Sequence, residues 1–141
     1  MRTAVGVLGG LAGLGSIGWS AFMVFLTFLG YAYEFELGSP DPWSWLPWAI
    51  AFDTLLLFEG ILGIAAGMLI FRSSRAAVTA SFSAAGFALV SLIPGYVFFL
   101  HSNADTLFFL LIVLAPAVFF AAIYSAIGVF AMKPFHLRIH G

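Results

Sequence analysis

Apolar residues run through this chain in four long stretches, at about residues 4–31, 47–71, 77–100 and 107–132, and polar residues collect in the short segments between them. Each stretch exceeds the roughly 20 residues needed to cross a hydrocarbon core of about 30 Å. A backbone in lipid must satisfy its own polar groups, which such stretches do as helices. The pattern predicts an all-α integral membrane protein: four transmembrane helices in an up-down bundle, one membrane domain over residues 1–141.

The connections carry the polarity. Residues 32–46 form the longest, with helix-breaking Gly38, Pro40 and Pro42 and only acidic charges, Glu34, Glu36 and Asp41. Trp43, Trp45, Trp48, Tyr31 and Tyr33 cluster there, and indole and phenol rings favour the headgroup level, so they are expected to be interface anchors. A tight turn holds Arg72 and Arg75, a second connection holds His101 and Asp105, and a tail after Met132 adds Lys133 and Arg138. With four crossings, these basic residues and Arg2 fall on one side. Under the positive-inside rule both termini are cytoplasmic. A multi-pass protein of a prokaryotic plasma membrane is expected. The apolar run after Arg2 is longer than the ~7–15 residues of a signal core, and reads as a retained span.

Composition narrows the class. Only 8% of residues are charged, against about 25% in soluble domains, which excludes an ordinary soluble fold. Absence of cysteine removes disulfides, iron–sulfur clusters and thiol chemistry. Five scattered basic residues make no electrostatic footprint for nucleic acid.

Candidate chemistry lies in the second stretch, where Asp53 and Glu59 interrupt apolar sequence. An ionised acid at the centre of a span costs at least about 2.5–3.5 kcal/mol, so such a residue faces protein or water. Glu59 stands near mid-membrane, level with Ser16, Ser20 and Ser91 as hydrogen-bond partners, and is expected to keep its proton. The six-residue spacing places the two carboxyls about 9 Å apart along the axis and roughly 120° around it, so no paired-carboxylate catalyst follows. Gly60, Gly63 and Gly67 flank Glu59, and Gly6, Gly9, Gly10 and Gly13 line the first helix; both sets suit close helix–helix packing. Pro94 and Pro116 each withhold a backbone donor. Together with Asp53, Ser91 and Tyr96 they suggest an outward-facing polar cleft, a proton or ligand site.

No histidine lies within the four stretches, so no haem is held between helices by imidazole, and no cofactor is expected to be bound by side-chain ligation. His101 and Asp105 are weak metal candidates; His136 and His140 would suit a metal only on a helix, which Pro134 argues against. Contact with quinone, lipid or pigment is compatible with the apolar surface. Minimal connections, small-residue faces and 17 phenylalanines point to other membrane subunits and lipids as partners. The expected function is a non-catalytic accessory subunit of a larger, energy-transducing complex, respiratory or photosynthetic. The alternatives are a small proton- or cation-coupled transporter or channel using Glu59 and Asp53, and an intramembrane enzyme acting on quinol or lipid.

Overall fold

The computed structural model describes residues 1–36, 45–72, 75–101 and 106–139; side chains at 34, 35, 101 and 133–139 lie outside that description. In order, the elements are α1 (Arg2–Glu36), α2 (Leu46–Phe71), α3 (Ala76–Val90), α4 (Leu92–His101), a short α5 (Thr106–Phe108), a π-helical segment (Phe109–Leu114) and α6 (Ala115–Ile139). Four stretches are long and apolar enough to cross a membrane: Arg2–Tyr33, Leu46–Phe71, Ala76–Leu100 and Thr106–Met132. The fold is that of a multi-pass, all-helical membrane protein.

Two spans are not continuous α-helix, and proline explains both. In the third span the ladder breaks at Ser91, between α3 and α4. Pro94 has no N–H to give the carbonyl of Val90, and the chain restarts with Gly95 N donating to Ser91 O at 3.1 Å. In the fourth span, Pro116 cannot donate to Ile112, and the preceding turns relax to π geometry, with Ala115 N–H donating to Leu110 O.

Helix ends differ from the sequence expectation. The first helix extends to Glu36 rather than ending near residue 31, and the last continues through Pro134 to Ile139. A missing donor close to a helix end costs one backbone bond and does not stop the turn. The tail, expected to be non-helical, is therefore helical at His136, while His140 lies outside the described residues.

Lipid tails are as apolar as leucine, so these helices associate by close packing rather than by exclusion of water. The interior is accordingly built of small residues. Ala66, Ala84 and Ala88 are fully buried, and Ala77, Ala80, Ser81 and Ala85 complete the buried face of α3. Larger side chains fill the remaining space in two clusters, one around Tyr124 and Ile127, the other around Met23, Phe52, Leu56 and Val113.

The α1–α2 seam is the tightest contact. A Cβ built on Gly13 would lie 2.5 Å from Ile64 N and 2.7 Å from Gly60 O; one on Gly67 would lie 2.7 Å from both Gly10 N and Gly6 O. Only glycine allows main chain to meet main chain at that distance. The register steps from Gly6 beside Phe71, through Gly13 beside Gly60, to Gly30 beside Trp45. Residue numbers on α1 rise as those on α2 fall.

Candidate functional site

Two polar positions punctuate this seam, and one face of α1 supplies the partners for both. Ser16, Ser20 and Thr27 continue the line begun by Gly6, Gly9 and Gly13, at spacings of three, four and seven that keep one side of a helix. Glycine brings the helices together at one end; hydroxyls meet the carboxyls of α2 further along.

At the centre of α2, Glu59 is fully buried. Ser16 Oγ donates to its Oε1 at 2.9 Å, and the same Oγ lies 2.9 Å from the Tyr124 hydroxyl of α6. Ser16 and Tyr124 are also fully buried. With Ser16 giving its one hydrogen to Glu59, Tyr124 is left to donate to Ser16, and the chain reads Tyr124 to Ser16 to Glu59. It runs equally well in reverse when Glu59 carries the proton. Three helices are pinned at one point. Among the sequence-expected partners Ser16 is the one Glu59 meets; Ser20 and Ser91 bond elsewhere.

Glycine makes room for this clasp from two directions. A Cβ on Gly60 would lie 2.5 Å from Ile17 Cγ1, so its absence admits α1; one on Gly63 would lie 2.6 Å from the Tyr124 hydroxyl oxygen, so its absence admits α6. Gly67 meets α1 as well. Gly10 differs from the others: a Cβ there would meet nothing within 4 Å, although its backbone nitrogen lies against Gly67. The second carboxylate oxygen, Oε2, is buried without a hydrogen-bond partner. A charge sealed from water with so little to answer it is costly, and the neutral acid is the less costly occupant.

Asp53 sits about one and two-thirds turns away, with different surroundings. Phe52 takes the face toward Gly95 and packs with Val113, which turns Asp53, about 100° further round, toward α1. Ser20 Oγ donates to the Asp53 carbonyl oxygen at 2.9 Å. Thr27 Oγ1 lies 3.0 Å from Asp53 Oδ2 and 2.8 Å from Met23 O. A threonine hydroxyl has one hydrogen, and a main-chain carbonyl can only accept. Thr27 therefore shares its hydrogen between Met23 O and Asp53 Oδ2, and gives it wholly to Met23 O only where Asp53 carries an acid proton to donate in return. Oδ1 has no hydrogen-bond partner and is buried.

Beside Asp53 the two helices part, leaving a groove of about 400 Å³ that runs from Tyr31 and Leu46 to Ser20 and Leu57. The cleft expected from the sequence is not gathered there. Ser91, Pro94, Tyr96 and Pro116 are not among the groove's walls. Ser91 is fully buried and donates to Ala88 O in its own helix, Pro94 is buried, Pro116 is half-buried, and Tyr96 is exposed and packs edge-on to Phe109. At each proline the backbone bonding changes locally, with Gly95 N–H on Ser91 O after the break and Ala115 N–H on Leu110 O at the π turn.

The expected interface anchors divide. Tyr33 and Trp48 are exposed and Tyr31 just so, as anchors would be. Trp45 is instead only 6% exposed; it caps the start of α2, reaches toward Gly30 and lies edge-on to Phe98 at 5.9 Å. Trp43 and Asp105 lie outside the described residues, as does the side chain of His101. Among the described residues no three metal-ligating side chains come together. Sequence reasoning missed Tyr124 and Thr27. Tyr124 is an isolated tyrosine in a phenylalanine-rich span, and that lone hydroxyl was the available signal.

Comparison with protein-family models, with curated proteins and with solved structures returns no match, so the reading of function rests on this geometry alone.

Proposed function

We propose that the chain is a non-catalytic transmembrane subunit of a larger membrane assembly, held in shape by the Ser16–Glu59–Tyr124 clasp. The observation that carries this reading is that all three side chains are fully buried where three helices meet. A coupling carboxyl must exchange its proton or cation with water on at least one side during turnover. Glu59 is instead fully buried, with Ser16 and Tyr124 around it. Buried hydrogen bonds between helices of this sort fix helix register and rotation.

The wider assignment follows from the sequence. An up-down bundle with both termini on the cytoplasmic side of a prokaryotic plasma membrane agrees with the one-sided basic residues and with the opposed register of α1 and α2. Exposed Phe22, Phe25, Phe28 and Phe119 offer broad aromatic surface to neighbouring subunits or lipid. An energy-transducing complex is the class of assembly in view.

Purification in mild detergent followed by mass spectrometry tests the proposal. Larger membrane subunits co-migrating in fixed ratio are the expected result. A chain that purifies alone, and conducts protons or cations after reconstitution, would overturn it. That outcome favours a small transporter or channel, a second reading for which the observation is Asp53 beside a groove between the helices.

A further inference from the structure

We propose that the groove between α1 and α2 binds a lipophilic phenol or hydroquinol whose ring hydroxyl donates to the carboxyl of Asp53. The inference goes beyond the subunit assignment and does not depend on it. The volume, about 400 Å³, falls within the roughly 300–1,000 Å³ of small-molecule sites. From Tyr31 and Leu46 to Ser20 and Leu57 the groove covers roughly 16 Å of either helix, about half the hydrocarbon thickness. Its flanks Val24, Ile50 and Leu57 are exposed, so it opens sideways to lipid.

Depth and hydrogen-bond chemistry select the occupant. Asp53 lies about 10 Å along α2 from Leu46, well below the headgroup level. A phospholipid keeps its polar group at the interface and would lay hydrocarbon against Asp53, leaving Oδ1 unanswered. A ligand that answers it carries its polar group on the buried end of an apolar body. With Oδ2 engaged by Thr27, Oδ1 is the oxygen without a partner, and it accepts. It calls for an O–H, and a quinone carbonyl, itself an acceptor, does not supply one. A protonated amine would have to bring its charge below the headgroup level, which lipid penalises and a neutral O–H avoids. A ring suits the site because Phe28 and Tyr31 give the groove two aromatic walls. Oδ1 is covered as the side chain stands; a turn about the broad χ2 torsion, which moves both oxygens and leaves Thr27 its bond to Met23 O, shows a carboxyl oxygen to the groove.

The test titrates the full chain in lipid nanodiscs with dodecyl hydroquinone, its dimethyl ether and dodecylamine, reading heat of binding against nanodiscs without protein. One saturable hydroquinone site per chain is expected, with the ether about ten-fold weaker because it has no hydrogen to donate. Asp53→Leu should lose about ten-fold, while Asp53→Asn, which keeps an accepting oxygen, should stay within about three-fold. Ile50→Trp, at an exposed position where bulk does not disturb packing, should fill the groove and remove binding even if Asp53→Leu fails to fold. Equal binding of hydroquinone and ether, binding unchanged in Ile50→Trp or in folded Asp53→Leu, the absence of a saturable site, or tighter binding of the amine would each overturn the proposal.

Discussion

Replacing Gly60 by alanine adds one methyl group, and the seam makes its consequence calculable. The new Cβ would stand 2.5 Å from Ile17 Cγ1, 2.9 Å from Gly13 O and 2.9 Å from Ile17 N. A side-chain carbon can rotate away; the other two atoms are main chain of α1 and cannot. Carbon contacts are comfortable from about 3.5 Å, so α1 has to retreat by roughly 0.5–1 Å, a gap that forfeits a quarter to a half of each pair's attraction. The same retreat stretches the Ser16–Glu59 bond from 2.9 Å past the edge of the O–H···O range, about 3.0 Å. Overpacking costs about 1–3 kcal/mol, and a membrane side-chain hydrogen bond averages about 0.6 kcal/mol. The expected loss is therefore roughly 2–4 kcal/mol. Gly10→Ala is the control, because a Cβ there meets nothing within 4 Å; it should change stability by less than about 1 kcal/mol, and in the stabilising direction. Unfolding by circular dichroism in mixed micelles of rising denaturing-detergent fraction measures both. Adding Ile17→Ala to Gly60→Ala should restore only part of the loss, since it removes one of the three clashes. A Gly60→Ala protein as stable as wild type, or one no worse than Gly10→Ala, would refute the claim that backbone contact at this point holds the helices.

Two further outcomes bear on orientation and on the clasp. Cysteines placed at Ser39 and Ser102 should react with an impermeant thiol reagent in intact cells and one at Ser74 should not, whereas labelling at Ser74 alone would invert the topology. Glu59→Gln should leave folding and assembly within about 1 kcal/mol of wild type, because glutamine keeps the accepting oxygen and the shape; a folded variant that has lost a proton-dependent flux present in wild type would promote the transporter reading.

Much of this architecture was legible because membrane helices announce themselves by length. The four spans follow from where apolar sequence stops, and lipid leaves the backbone no alternative to a helix. Glu59 was legible for a related reason: a carboxyl at mid-span has to meet something polar, and depth matching put Ser16 within reach. Which face Asp53 would present was not. That depends on Phe52, whose fit against Gly95 and Val113 rotates α2 and hands Asp53 to α1. Nothing in the spacing of Asp53 ranks α1 above the third span. The prolines misled for a similar reason. A missing donor was read as part of one shared cleft with Asp53, whereas the two prolines show themselves as a helix break at Ser91 and a π turn before Ala115, away from the groove beside Asp53. Gly10 shows the limit of pattern: its spacing matches its neighbours, yet helix rotation leaves its Cβ direction open.

The two carboxyls are best understood through the helix that faces them. Along one side of α1 the residues change from glycine, at 6, 9 and 13, to hydroxyl, at 16, 20 and 27. Where glycine meets glycine the main chains touch, and no side chain larger than hydrogen fits between them. Where the first hydroxyl appears the gap is just wide enough for Glu59, and Tyr124 closes it from the third direction. Further along the helices have parted enough for a groove, with Asp53 held at its wall by Ser20 and Thr27. The same pair of helices thus carries a sealed polar contact at Glu59 and, at Asp53, a buried carboxyl beside a groove. The first joins three helices at one buried point. The second is placed to meet a molecule arriving from the lipid, and that difference of access is why binding is assigned to Asp53 and not to the more central Glu59.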